Sequence, residues 1–110
     1  MEEIIMQIII NGGNARSKSI KAIRTAREGD VDAARKLMDE AQESIGAAHE
    51  VQTGLIQAEA RGERCEVSLL MVHAQDHIMN AMTVKELAEE LIEEIAIRHK
   101  IQKELGVDVK

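Results

Sequence analysis

The chain has 110 residues and a formal net charge of −6, and it contains no Phe, Trp or Tyr. A chain of this length is expected to form one domain, residues 1–110. The negative charge argues against binding to a phosphate backbone, which requires clustered Lys and Arg. Without aromatic side chains, nothing can stack on bases or sugar rings. We therefore expect neither nucleic-acid binding nor direct sugar binding.

The sequence shows no sign of membrane insertion or export. No apolar run reaches the ~18 residues of a membrane span, and the first residues lack the basic start and cleavage site of a signal peptide. The single cysteine, Cys65, falls in a predicted loop and has no partner for an internal disulfide. We expect a cytoplasmic protein without membrane insertion.

Three helices are predicted, and glycines mark their ends. The first covers about residues 2–28 and ends at Gly29, and the second covers about 31–61 and ends at Gly62. The third covers about 67–105, and residues 106–110 are predicted to be a helix-capping or disordered tail. Proline is absent and no strand-type alternation is sustained. The predicted fold is all-α, an antiparallel up-down-up three-helix bundle.

The third predicted helix carries more apolar surface than two neighbours can cover. Its predicted core seam is Leu70, Ala74, His77, Ala81, Val84, Ala88, Leu91 and Ile95. Between residues 67 and 82 the helix is apolar on nearly all sides. The excess, including Leu69, Met71, Ile78, Met79 and Met82, is predicted to be buried between the subunits of a homo-oligomer.

The reactive side chains are concentrated on one face of that helix. His73, Asp76 and His77 stand at positions i, i+3 and i+4, within a wedge of roughly 100°. In apolar surroundings a carboxylate and two imidazoles are expected to have hydrogen-bond partners, to bind a metal ion or to take part in a reaction. An uncharged imidazole is a nucleophile that can accept a phosphoryl group, and catalysis of that transfer is mainly positioning. The alternative is that both histidines are core residues with satisfied nitrogens.

Antiparallel packing brings a second polar group to the same level of the bundle. Pairing about the loop near residue 64 places Asp76 opposite Gln52. His49, Gln52 and Thr53 again have the spacing i, i+3 and i+4, so they are predicted to form a polar cluster near the first.

Two further predictions concern packing. Gly12, Gly13 and Gly46 are expected to let helix backbones approach closely at this level, since glycine inside a helix costs ~1 kcal/mol against alanine. His99 lies in a run of charged residues and is predicted to be a solvated surface histidine.

Three motifs together resemble one known family. The segments 72–79 (VHAQDHIM), 49–54 (HEVQTG) and 13–18 (GNARSK) are similar to the lactose/cellobiose-type enzyme IIA family of the bacterial phosphoenolpyruvate-dependent sugar phosphotransferase system. The similarity runs over essentially the full length with the same order and spacing. It implies a three-helix protomer assembled as a homotrimer, which agrees with the surplus apolar surface.

The resemblance also implies a reaction. His73 would accept a phosphoryl group from the histidine-containing phosphocarrier protein and pass it to a cysteine of enzyme IIB, during uptake of a disaccharide of the cellobiose, chitobiose or lactose type. Ala74 stands where we associate Gly with lactose members, which favours the cellobiose or chitobiose branch.

The remaining site residues are implied by the same resemblance. Asp76 would point to the three-fold axis and bind a divalent metal, typically Mg²⁺, shared by the subunits. Gln75 and His77 would hydrogen-bond to the site, and His49 or Gln52 of a neighbouring subunit would donate to phosphoryl oxygens.

Two other functions stay open on the residues alone. A histidine phosphotransfer module of a signalling relay shares the chemistry, but it usually has Lys three residues after the reactive His, where this chain has Asp76. A noncatalytic, metal-stabilised oligomerisation bundle would use His73 and His77 as ligands or core residues. Incubation with phosphoenolpyruvate, enzyme I and the phosphocarrier protein would separate these functions.

Overall fold

The computed structural model describes residues 1–107, and it consists of three α-helices. They are α1 (Glu2–Arg27), α2 (Val31–Ala60) and α3 (Leu69–Glu104), within two residues of the predicted ends. No strand occurs in this range, so the all-α prediction is confirmed. None of these helices is both long and apolar enough to cross a membrane. Most of the predicted tail, residues 108–110, lies outside the described part.

Local sequence signals set the helix ends. Gly29 (φ 110°) lies in the turn between α1 and α2, and Gly62 (φ 89°) lies just after α2, both in the left-handed region that glycine adopts without strain. Asp30 caps α2 and Ser68 caps α3, each side chain accepting a backbone N–H of the following first turn. The short connections make consecutive helices antiparallel, in a bundle 62 Å long.

The core is built mainly from small side chains. α1 packs along both α2 and α3, whereas α2 and α3 contact each other much less. Nine alanines are fully buried along these contacts: Ala15, Ala22, Ala26, Ala34, Ala41, Ala48, Ala74, Ala81 and Ala88. Small residues at the contact positions allow helix axes to approach closely. The result is a narrow bundle with α1 as its central element and a groove left between α2 and α3.

The buried face of α3 is rotated from the predicted seam. Ala74, Ala81, Ala88 and Ile95 are buried as predicted, but Leu70 and Leu91 are exposed, and Met71 and Ile92 are buried instead. At both places two apolar residues are adjacent in sequence, so hydrophobic periodicity alone does not determine which of the two is buried. Packing against α1 determines it.

Part of the predicted inter-subunit surface lies inside the chain. Met71 and Ile78 are buried against the isoleucines of α1, so their assignment to a subunit interface was wrong. α1 covers this face of α3, which the count of apolar residues did not anticipate. Leu69 and Met79 are exposed and Met82 is half-buried, so a smaller apolar surface does remain.

His99 is buried, and its prediction as a surface residue was wrong. Only 9% of it is exposed, and it continues the buried series of Ile92 and Ile95 at helical spacing. It lies beside the turn between α1 and α2, where Glu28 and Gly29 line the same cavity. Arg98 and Lys100 on either side of it are exposed, because adjacent helical residues diverge by ~100°, and the Arg98 guanidinium lies 3.4 Å from the His99 Nε2.

Gly12 is the point of closest approach between α1 and α3. A Cβ atom on Gly12 would lie 3.3 Å from both the carbonyl carbon and the carbonyl oxygen of His77. These are backbone atoms, which cannot move aside as a flexible side chain can. The predicted close approach is therefore confirmed for Gly12. It is wrong for Gly13 and Gly46, where a Cβ would meet nothing within 4 Å.

Gly12→Val is expected to lower the free energy of unfolding by about 1–3 kcal/mol, because its side chain must displace the α3 backbone. Gly13→Ala, one residue away in open space, should raise it by roughly 0.5–1 kcal/mol through helix propensity. Urea unfolding at one fixed protein concentration measures both. Effects of the same sign for the two variants would contradict the close approach.

Candidate functional site

His73 and His77 face each other on the outer surface of α3. Their Nε2 atoms are 3.0 Å apart, and the rings meet edge to face with centroids separated by 4.5 Å. His73 is exposed and His77 is half-buried. A hydrogen bond at this distance needs one nitrogen with a hydrogen and one without, so at least one ring offers a lone pair. The alternative, in which both histidines are core residues, is wrong for His73, which is exposed.

The helix turn that carries this pair is firmly held. Ala74 and Ile78 beside it are fully buried, and the main chain of His77 lies against Gly12 of α1. A turn fixed by core packing and by backbone contact cannot rotate freely. The two imidazoles are therefore presented to solvent from a rigid base, as a preorganised site requires.

Asp76 points away from the core of its own chain. It is exposed, and it lies about 200° around the helix from both Ala74 and Ile78. Within residues 1–107 it takes part in no ion pair, and no group of three or more His, Cys, Asp or Glu is placed to hold a metal ion. One chain thus offers a single carboxylate. A metal bound here would need ligands from further copies, so the predicted Mg²⁺ stays a prediction.

Gln75 reaches inward and meets Gln52. The Gln52 Nε2 donates to the Gln75 Oε1 at 2.6 Å, and Gln52 is only 8% exposed. Gln75, and not Asp76, therefore stands opposite Gln52, one residue from the predicted register. Gln75 also lies about 200° around α3 from His73. The pair ties α2 to α3 within the chain, and its predicted support of a phosphoryl group stays untested.

His49 is separate from the histidine pair. It is exposed and lines the groove between α2 and α3, next to Met82 and Lys85. The structure thus brings Gln52 to α3 but does not bring His49 into contact with His73. A role for His49 would have to come through a neighbouring subunit, as the resemblance implied, and it stays a prediction.

A cavity on the side of α3 that faces α2, away from His73, was not identified from the sequence. It has a volume of about 230 Å³ and opens between the end of α2 and the start of α3, with Leu55, Ile56, Val67, Val72 and Cys65 among its lining residues. Val67 is 75% exposed and Val72 is 52% exposed. An exposed apolar surface of this kind is typical of a protein contact site. The apolar run around residue 70 was the available signal, but it was assigned to subunit contacts.

The contact between Gln52 and Gln75 predicts energetic coupling. Gln52→Ala and Gln75→Ala should each lower the free energy of unfolding by about 1–2 kcal/mol, and the double variant should lose less than the sum because one hydrogen bond is removed twice. Urea unfolding measures the cycle. The control combines Gln75→Ala with Gln57→Ala on the exposed side of α2, where the losses should add. Additivity in the first cycle would show that the hydrogen bond contributes nothing.

Comparison with known proteins identifies the relatives of this chain. Residues 3–96 match the family model for the lactose/cellobiose specific IIA subunit of the PTS system. The lichenan-specific phosphotransferase enzyme IIA component of Bacillus subtilis is 52% identical over 109 residues, which are 99% of this chain and 96% of that protein. The N,N'-diacetylchitobiose-specific EIIA component of Escherichia coli is 46% identical over 93 residues, covering 84% and 80%.

Solved structures give the same result. The crystal structure of the PTS cellobiose specific enzyme IIA from Bacillus anthracis matches with a TM-score of 0.83 and 52% identity, over 86% of this chain and 87% of that one. The solution structure of the IIA(chitobiose)–HPr complex of Escherichia coli matches with a TM-score of 0.74 and 44% identity, over 86% and 92%. The three-helix arrangement around the histidine pair is thus shared with solved structures.

Proposed function

Because the chain belongs to the lactose/cellobiose-specific IIA family of the sugar phosphotransferase system, we propose that it is a phosphoryl carrier with His73 as the accepting residue. The phosphoryl group comes from the histidine-containing phosphocarrier protein, HPr, and goes to a cysteine of enzyme IIB. The observation that carries this proposal is the exposed imidazole of His73, held on a rigid helix turn with its Nε2 3.0 Å from that of His77.

The transfer needs no chemistry beyond a nucleophilic nitrogen and correct placement. The lone pair of a His73 ring nitrogen attacks the phosphorus of phosphohistidine, and the P–N bond to the donor imidazole breaks as the new one forms. In the second step the thiolate of enzyme IIB attacks in turn and frees His73. Once phosphorus occupies the space between the two rings, the ring N–H of His77 can donate a hydrogen bond to a phosphoryl oxygen and stabilise the adduct.

The apolar surface beside His73 supports a protein as the donor and acceptor. Leu70 is 38% exposed and Val72 is 52% exposed, and they lie on either side of the His73 imidazole on α3. The relative from Escherichia coli was solved in complex with HPr. A partner that covers these side chains would exclude water from the transferring group, which limits loss of the phosphoryl group by hydrolysis.

A second exposed series on α3 supports association of several copies. Leu69, Leu87, Ile97 and Ile101 are all more than half exposed. Leu69 and Ile97 share one position of a seven-residue repeat with Asp76, and Leu87 and Ile101 share the position four residues later, so all four lie on the side of the helix that carries Asp76. Parallel packing of this stripe buries it and brings the Asp76 carboxylates of the copies together. We propose a homotrimer in which these carboxylates share a divalent metal, Mg²⁺ being the expected ion because it prefers oxygen ligands.

The transported sugar is proposed to be a β-linked disaccharide of the cellobiose or chitobiose type. Relatives named for lichenan, diacetylchitobiose and cellobiose support this choice, as does Ala74. The chain itself has no aromatic residue to bind a sugar ring. It is proposed to act in the cytoplasm, between HPr and enzyme IIB.

Incubation with phosphoenolpyruvate, enzyme I and HPr is expected to add one phosphoryl group to the chain, as measured by intact mass. His73→Gln should abolish the gain because it removes the nucleophile. His99→Gln is the matched control, since it makes the same substitution on the same helix about 39 Å away, at 1.5 Å per residue. It should be phosphorylated at the wild-type rate.

Circular dichroism should show that both variants keep their helical content. The proposal fails if the wild-type chain gains no phosphoryl group in a mixture that phosphorylates a known family member. It also fails if His73→Gln is still phosphorylated.

Asp76→Leu is expected to remove a bound divalent ion from the assembled protein. Sedimentation equilibrium of the wild type should give three times the chain mass, and elemental analysis should find Mg²⁺ or another divalent ion. Asp32→Leu, at an exposed carboxylate on α2, is the control and should retain the ion. Retention of the ion by the Asp76 variant would disprove this site, and so would a metal-free wild type prepared in excess Mg²⁺.

A further inference from the structure

We propose that His73 and His77 form a two-ligand site for a borderline transition-metal ion, with Zn²⁺ as the best fit, and that the site excludes phosphorylation of His73. Binding of the ion follows from the geometry of the pair alone, whereas the exclusion of phosphorylation rests on the proposed function. The two Nε2 atoms already converge at 3.0 Å, and the rings lie where an ion from solvent can reach them.

The distance between the nitrogens fits one ion held by both. Zinc binds imidazole nitrogen at about 2.0–2.1 Å in tetrahedral geometry, which separates two such nitrogens by roughly 3.3 Å. The observed separation is 3.0 Å, so a small rotation of either ring opens the required space. Two histidines one turn apart are also the helical spacing used by known zinc sites.

The donor atoms select the class of metal. Imidazole nitrogen suits Zn²⁺, Cu²⁺ and Ni²⁺, whereas Mg²⁺ prefers oxygen. In the complex each ring turns its Nε2 lone pair to the metal and keeps its hydrogen on Nδ1. The part of the chain that the structure describes supplies no third ligand for such a cluster. Water would fill the other coordination positions, so binding should be reversible and distinct from the ion proposed at Asp76.

Metal and phosphoryl group compete for the same lone pair. A coordinated Nε2 of His73 has no electron pair left to attack phosphorus. Conversely, a phosphoryl group on that nitrogen occupies the gap that the ion requires between the rings. Occupancy by zinc would therefore stop the carrier, and phosphorylation would release the ion.

The first experiment measures Zn²⁺ binding to the assembled protein by competition with a chromophoric chelator, in excess Mg²⁺. The wild type should bind one Zn²⁺ per chain at this site. His73→Gln and His77→Gln should each weaken binding at least tenfold, because each removes half of the chelate. His99→Gln and Cys65→Ser are controls that remove the imidazole at the far end of α3 and the single thiol, and they should leave binding unchanged.

Unchanged affinity in either His73→Gln or His77→Gln would overturn the site. Loss of binding in a control variant would overturn it equally, since the ion would then lie elsewhere. Both tested histidines project from the surface, and circular dichroism should confirm that their variants remain helical.

The second experiment repeats the titration on chains phosphorylated by phosphoenolpyruvate, enzyme I and HPr. Zinc affinity should fall at least tenfold and return after hydrolysis of the adduct. Equal affinity before and after phosphorylation would overturn the exclusion. If the chain accepts no phosphoryl group at all, the proposed function fails, while the first experiment still decides the metal site.

Discussion

The backbone contact between α1 and α3 at Gly12 is the constraint on which the site depends. With no Cβ at Gly12, α1 lies directly against the main chain of His77, and the buried Ala74 and Ile78 on either side allow no other rotation of α3. One residue of rotation would turn the helix by ~100° and carry His73 toward the core. The exposure of the reactive imidazole is thus fixed by glycine and alanine packing, far more than by its own interactions.

One turn of α3 then distributes its polar residues in three directions. Gln75 turns inward and joins α2 through Gln52, His73 and His77 stand outward as a pair, and Asp76 points opposite the core. The inward hydrogen bond ties together α2 and α3, which otherwise contact each other little. The outward groups gain no stability for the chain by themselves. Packing of the chain does not account for the arrangement of these outward side chains, whereas a chemical role does.

The sequence predicted the helices and the pairing of His73 with His77 because both depend on local signals: capping residues, glycines at the turns and the helical spacing of the two histidines. It did not predict the rotation of α3. Leucine and methionine at 70 and 71 satisfy the same periodicity, and only α1 decides which is buried. His99 was misassigned for a related reason, since the charge of neighbouring residues carries no information on the face that a helical residue occupies.

The exposed imidazole also explains why so much apolar surface remains on so small a chain. A carrier that exchanges a phosphoryl group with two different proteins cannot enclose its own site, because an enclosed site would admit neither. Water must nevertheless be excluded during transfer, so each partner has to supply the missing cover. In the proposed function, the apolar residues around His73 make that temporary contact, while Leu87 and Ile101 lie too far along α3 to take part in it. In the proposed homotrimer, further copies of the chain cover these two side chains.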